Sequence, residues 1–270
     1  MSYSSKLVEQ KIENYVSAKG WQYLYNFSLV NNENLSADKH PYTEICASWI
    51  RQPIHLKTLL SKMHPLKRSN PYHKVNHEQL DSVSQSFDPR TKQEARKECH
   101  LAQALYLQSK KLKHVFRGLK HKGIEIIDYE VPTKNGRGAA IDLLGYEHSQ
   151  DLLYFFELKY NDEKHETLLR CILESLTYLK SINREKFLYD FAQYDNRISQ
   201  KTRICISPLF VKGSSQHNEF VSLKTKYTEL TQLVHDMIGK DILIRFAMLS
   251  IGGNAINEPS RTIDVFDVHK

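Results

Sequence analysis

Gly138-Ala139-Ala140-Ile141-Asp142-Leu143-Leu144-Gly145 is followed, after a short polar turn, by Leu152-Leu153-Tyr154-Phe155-Phe156-Glu157-Leu158-Lys159-Tyr160. Both runs are apolar enough to be strands, and the turn between them is short enough to pair them. Side chains alternate faces along a strand, so Glu157 and Lys159 share one face while Phe156, Leu158 and Tyr160 share the other. Fourteen residues separate Asp142 from Glu157, which fits the end of one strand, a turn and the start of the next. Charged groups inside so apolar a run are costly to bury unless they pair or bind an ion. Two carboxylates and an ammonium converging on one spot suggest a metal site.

Working outward, residues 124–131 read as a preceding strand, and Asn135-Gly136 provides a turn that tolerates positive φ, so three strands form a meander. Before it, residues 92–120 carry Ala95, Cys99, Ala102, Leu105, Tyr106, Leu112 and Phe116 at helical spacing and close at Gly123. After it come helices over residues 165–181 and 184–194, a buried strand over 203–211, a helix over 219–238 and a strand over 241–250. The expected fold is α/β: helix, three-stranded meander, helix, strand, helix, strand, with a mixed sheet flanked by helices. Upstream, residues 4–19 read as a weakly amphipathic helix stopped by Gly20, and Trp21 to Phe27 as a short strand. Residues 31–90 are irregular and Pro-rich, with short helices near 45–50 and 54–63. Two regions are expected: an N-terminal accessory region over 1–91, contacting nucleic acid, and a catalytic domain over 92–270.

The 270 residues are 40% hydrophobic and 26% charged, an ordinary globular composition. Cys46, Cys99, Cys171 and Cys205 stand singly, without disulfide or zinc-knuckle spacing. No run approaches the length of a membrane span and the first residues lack a secretory pattern, so a cytoplasmic protein without a membrane partner is expected. The net charge of +7 is concentrated: residues 51–122 hold 16 Lys and Arg against 5 Asp and Glu, leaving 22 against 26 elsewhere. Such a segment is the footprint of a phosphate-backbone partner, with Lys67, Arg68, Lys110, Lys111, Lys113 and Arg117 as the contacting cations. Its bland counterpart is a solvated basic face.

The order of elements and the acids within them resemble the PD-(D/E)XK nuclease superfamily, which is restriction-endonuclease-like and includes RecB-like exonucleases. The resemblance covers residues 92–250, and its motif stands here as Ile141-Asp142-Leu143, then Phe156-Glu157-Leu158-Lys159. It implies that Asp142, Glu157 and the carbonyl of Leu158 hold Mg2+, with Mn2+ as a substitute, and that Lys159 is catalytic. It also implies a further carboxylate from the preceding helix, for which Glu98 is the candidate and Glu94 the competitor. RecB-like members carry Gln and Tyr four apart on the next helix; Glu174 and Tyr178 occupy those positions here, a departure at the first.

The implied function is a metal-dependent deoxyribonuclease, cutting internally or from an end, in defence against foreign DNA or in repair. DNA is the expected partner with RNA left open, and a homodimer would suit double-strand cleavage. One alternative is a nucleic-acid-binding protein of nuclease-like fold without turnover. Another is an interaction protein in which Glu157 and Lys159 form a structural pair, since Glu-x-Lys alone describes any solvated strand face. His64, His73 and His77, with Asn76, are a rival metal constellation that fits neither zinc nor ββα-metal spacing well. Trp21, Tyr23, Tyr25 and Phe27 read as a small core rather than a base-stacking platform.

Overall fold

A computed structural model describes residues 2–32, 34–73, 97–111, 115–116, 123–135, 140–160, 166–252 and 260–267. Among them, six strands form one open mixed sheet in the order β1 (Glu125–Pro132), β2 (Ala140–Glu147), β3 (Leu152–Lys159), β4 (Arg203–Val211), β5 (Leu243–Gly252) and β6 (Ser260–Asp267). The first three are the antiparallel meander, β3, β4 and β5 run parallel, and β6 returns antiparallel to β5. The fold is thus mixed α/β, and β6 lies beyond the last strand read from sequence.

Helices cover both faces. On one lies α4 (Lys97–Lys111), whose Leu101, Ala102 and Leu105 join Tyr154, Phe156 and Leu158 in a single apolar layer. On the other lie α1 (Ser5–Lys19), α2 (Tyr42–Arg51), α3 (Pro53–Lys62), α5 (Leu168–Ser181), α6 (Arg184–Tyr194) and α8 (Thr228–Ile238), which share one core with Leu153 and Phe155. The short α7 (Ser215–Val221) follows β4. Strand β3 is buried on both sides, which explains its continuous apolar spelling. No helix of the described residues is long and apolar enough to cross a membrane.

Four local expectations are corrected. Residues Trp21–Asn26 are a 3₁₀ turn rather than a strand. Gly20, at φ 95°, caps α1 through its N–H to the Val16 carbonyl, and the chain winds on. The apolar positions that matter are then Trp21, Leu24 and Phe27, at the spacing of three that a 3₁₀ helix aligns, and Trp21 stacks on Trp49. Of the helix expected over 92–120, residues 92–96 lie outside the described residues, and it does not reach 120, because Phe116 pairs with Ile124 and exchanges both backbone hydrogen bonds with it. The helix read over 219–238 is α7 and α8, broken where the Ser222 N–H folds onto the Asn218 and Glu219 carbonyls and buries Leu223 and Tyr227. Helix α5 begins at Leu168, since the Thr167 hydroxyl accepts from the Arg170 N–H as its N-cap.

The N-terminal helices are stitched to the rest by polar contacts as well as packing. The buried Glu44 carboxylate of α2 accepts the N–H groups of Glu229 (2.8 Å) and Leu230 (3.0 Å), capping α8. Arg51 reaches Glu229 at 2.7 Å.

Gly145 of β2 sits where a Cβ would lie 2.5 Å from Phe156 and 2.8 Å from Ile124. The bare backbone lets the Phe156 ring lie across it, stacked on Tyr154 at 5.3 Å. Gly145→Ala is therefore expected to destabilise the protein by about 1–3 kcal/mol through overpacking, measured as a lower denaturant midpoint.

Candidate active site

The β2–β3 ladder stops at Leu143 opposite Phe156. One residue further the Asp142 side chain takes over from the backbone, Oδ2 accepting the Leu158 N–H at 2.8 Å. This brings the Asp142 carboxyl to the end of β3, on the face carrying Glu157 and Lys159. The parallel pairing of β3 with β4 holds that end straight, Glu157 lying opposite Pro208 and Lys159 opposite Phe210.

Lys159 is almost enclosed, its side chain 7% exposed, and carboxylates surround its ammonium. Nζ lies 2.7 Å from Glu157 Oε1, 2.9 Å from Glu166 Oε2 and 3.7 Å from Glu174 Oε2. The Tyr178 hydroxyl donates to Glu174 Oε1 at 2.9 Å and so turns the other oxygen toward Lys159. Arg170 adds a second cation, 3.4 Å from Glu166 and 3.6 Å from Glu174. Glu98 reaches across from α4, where it accepts the Tyr160 N–H at 3.3 Å and lies close enough to Asp142 to be felt electrostatically.

These groups set one another's protonation. Burial pushes the Asp142 carboxyl up to about 7, with Glu98 and Glu174 adding to the rise while Lys159 and the Leu158 N–H oppose it. Glu157 is raised well above the usual carboxylate range, by burial first and Asp142 second. Burial works against the Lys159 charge, yet Glu157, Asp142 and Glu174 override it and hold the ammonium above its ordinary value. Tyr178 is raised by burial and by the neighbouring carboxylates.

Asp142, Glu157, Leu158, Lys159, Glu174, Tyr178 and Glu98 thus come together at one end of β3; Glu94 lies outside the described residues. Two members were not read from sequence, Glu166 and Arg170. With Glu174 and Tyr178 they follow at steps of four, but Glu166 precedes the N-cap of α5 and its place depends on the Gln216 amide, which donates to the Glu166 carbonyl at 2.5 Å. Among the basic residues, Lys67 is exposed, Arg68 donates to the Lys134 and Pro71 carbonyls, and Lys110 lies over the Tyr194 ring at 4.7 Å. Only the backbone of Lys111 is described, and Lys113 and Arg117 lie outside. Of the histidines, His64 is exposed and His73 pairs with the buried Asp128 at 3.0 Å, stacked on Tyr194. Asn76 and His77 lie outside the described residues.

Among the described residues no three His, Cys, Asp or Glu side chains form a metal cage by themselves. The donors at the end of β3 fit a hard cation that takes part of its shell from water or substrate, as magnesium does. Glu157 Oε2 is buried without a hydrogen-bond partner, and four carboxylates, those of Asp142, Glu157, Glu166 and Glu174, face two side-chain cations.

No protein-family model and no curated protein matches the chain. Among solved structures, "The structure of Pyrococcus Furiosus SfsA in complex with Ca2+" is a weak neighbour, 13% identical, covering 56% of this chain and 55% of that one, with a TM-score of 0.22. The match therefore spans about half the length of that protein, and so slight a likeness carries no argument about the site.

A raised folded-state pKa means that the folded chain holds the proton more tightly than the unfolded chain. The resulting stabilisation is complete below the ordinary carboxylate value of 3.8 and is lost as the pH climbs through about 7. Glu157 acts in the same direction. The thermal midpoint of the metal-free protein should therefore fall from about pH 5 to about pH 8, and Asp142→Asn should flatten that fall.

Proposed function

We propose that this protein is a metal-dependent nuclease of the PD-(D/E)XK type that hydrolyses phosphodiester bonds in DNA, in restriction or other defence or in repair, within the cytoplasm. The observation that supports this best is the convergence of Asp142, Glu157 and Lys159 at the C-terminal end of β3, with a buried Glu157 oxygen lacking a hydrogen-bond partner. Asp142, Glu157 and the Leu158 carbonyl would hold Mg2+, or Mn2+ in its place, and Glu98 stands close enough to contribute. When bound, the ion would polarise the phosphate and lower the pKa of an attacking water.

The chain's own residues do the rest. Lys159 is held protonated beside Glu157, where a compact ammonium can hydrogen-bond an attacking water and offset charge that develops on the phosphate oxygens. Glu174, oriented by Tyr178, fixes the direction of that ammonium. The apolar layer of Phe156 and Leu158 on the opposite face prevents β3 from turning over, so both charges remain on the site side. The basic charge of residues 51–122 would grip the backbone, and cutting both strands would call for two copies of the chain.

The decisive experiment incubates plasmid and linear DNA with the purified protein in the presence of Mg2+, Mn2+ or a chelator. Cleavage is expected with either metal and none with the chelator. Asp142→Ala and Lys159→Ala should each lower the rate by about 10²–10³-fold, read at a temperature where circular dichroism shows the variant folded, since losing the Lys159 charge also lowers the thermal midpoint. Variants that cut as fast as the parent refute the assignment, and salt-dependent retention of DNA without cleavage indicates a binding module instead.

A further inference from the structure

Arg170 stands in the first turn of α5 with its guanidinium turned into the site, yet its donors are poorly used. Its two ion pairs, at 3.4 Å to Glu166 and 3.6 Å to Glu174, exceed the roughly 2.7–2.9 Å of a charge-assisted hydrogen bond. The longer of the two is made by Nε, a buried atom whose nearest acceptor, Glu174 Oε2, lies just beyond hydrogen-bond reach. Two arginines elsewhere in the fold are better satisfied: Arg197 forks onto Asp195 at 2.5–3.1 Å and reaches Glu125 at 2.8 Å, and Arg245 bonds Tyr154, Gln150 and Asp267. A guanidinium held as a structural clamp would show such contacts.

Both carboxylates lie at ion-pair distance but outside good hydrogen-bond geometry, so the guanidinium keeps donor capacity for a further acceptor. The side chain is 21% exposed, against 7% for Lys159, so of the two cations it is the more accessible. The Tyr25 ring lies 5.9 Å from the guanidinium carbon. The fork of a guanidinium matches two oxygens of a phosphate, whereas an ammonium offers a point charge. The N–H groups at the start of α5 are engaged by the chain itself, that of Leu168 by Glu219 and that of Arg170 by Thr167, so the helix end is not the anion site.

Resting on the nuclease reading above, we propose that Arg170 is a substrate-contacting residue whose guanidinium takes a backbone phosphate of the DNA strand beside the Asp142–Glu157–Lys159 centre. Lys159, held by Glu157 and Glu166, is thereby left to the reacting phosphate, and Arg170 sets the strand's position.

The test measures binding of a fluorescent DNA duplex to the parent protein over a salt series, with Ca2+ as the cation probe so that every proposed metal ligand stays in place, and a gel checks that the duplex remains whole. Arg170→Gln should weaken binding about tenfold and reduce the slope of log affinity against log salt by about 0.9, the loss of one phosphate contact. Arg170→Lys should keep the slope, because the charge is retained, and bind several-fold more weakly than the arginine protein because the fork is gone. A purely structural arginine would lower the thermal midpoint and leave the slope alone. If the parent binds DNA and Arg170→Gln leaves both slope and Kd unchanged, this inference falls alone. If the parent neither binds nor cuts DNA with any divalent cation, the nuclease reading falls and takes this inference with it. Should Arg170→Gln not fold, Arg170→Lys decides, and an affinity equal to that of the arginine protein overturns the proposal.

Discussion

An ammonium group can stand inside an apolar sheet only where carboxylates surround it, and much of this structure follows from meeting that condition at Lys159. Its charge lies on a strand buried on both faces, so it has little solvent to turn to. Glu157 comes from the same strand, Glu174 from the helix above it and Glu166 from the segment leading into that helix. Each must arrive at the same point for β3 to be buried at all. The fold therefore has reason to fix α5 firmly over the end of β3.

That fixing reaches far along the chain. Thr167 is tied by its hydroxyl to the Val30 carbonyl at 2.6 Å and by its N–H to Asn31, so the N-terminal part anchors the start of α5. From the other side, α7 supplies Glu219 to the Leu168 N–H and Gln216 to the Glu166 carbonyl. Glu44 of α2 caps α8 in turn. The polar groups at the opposite end of the sheet are arranged differently. Glu147 there accepts from Tyr154, Ser149 and Gln150, and Arg245 closes the network through Tyr154, Gln150 and Asp267. At the other end, Glu157 Oε2 and Arg170 Nε have no partner within hydrogen-bond reach.

Local patterns carried the reading as far as the meander and its three charges. Gly145 and the apolar runs around it are spelled by strand geometry, and Glu157 and Lys159 at i and i+2 must share a face whatever else the chain does. The aromatic alternation of Trp21, Tyr23, Tyr25 and Phe27 misled, because the 3₁₀ turn that Gly20 starts is held by stacking on Trp49, a residue from another helix. Phe116 misled for a similar reason: its helical spacing was overridden by pairing with Ile124. In both places a tertiary contact outweighed a short local signal.

The amino-acid sequence by itself determined the α/β class, the order of strands and helices about the site, and the shared face of Glu157 and Lys159, because periodicity and alternation are properties of neighbouring residues. Only the tertiary structure decided that Asp142 would replace the ladder hydrogen bond to Leu158, that Glu98 would reach the end of β3 from the opposite face, and that Glu166 and Arg170 would join Lys159. Those contacts depend on where β2 leaves β3 and on how α7 seats the start of α5, and burial couples groups whose separation along the chain carries no trace of it.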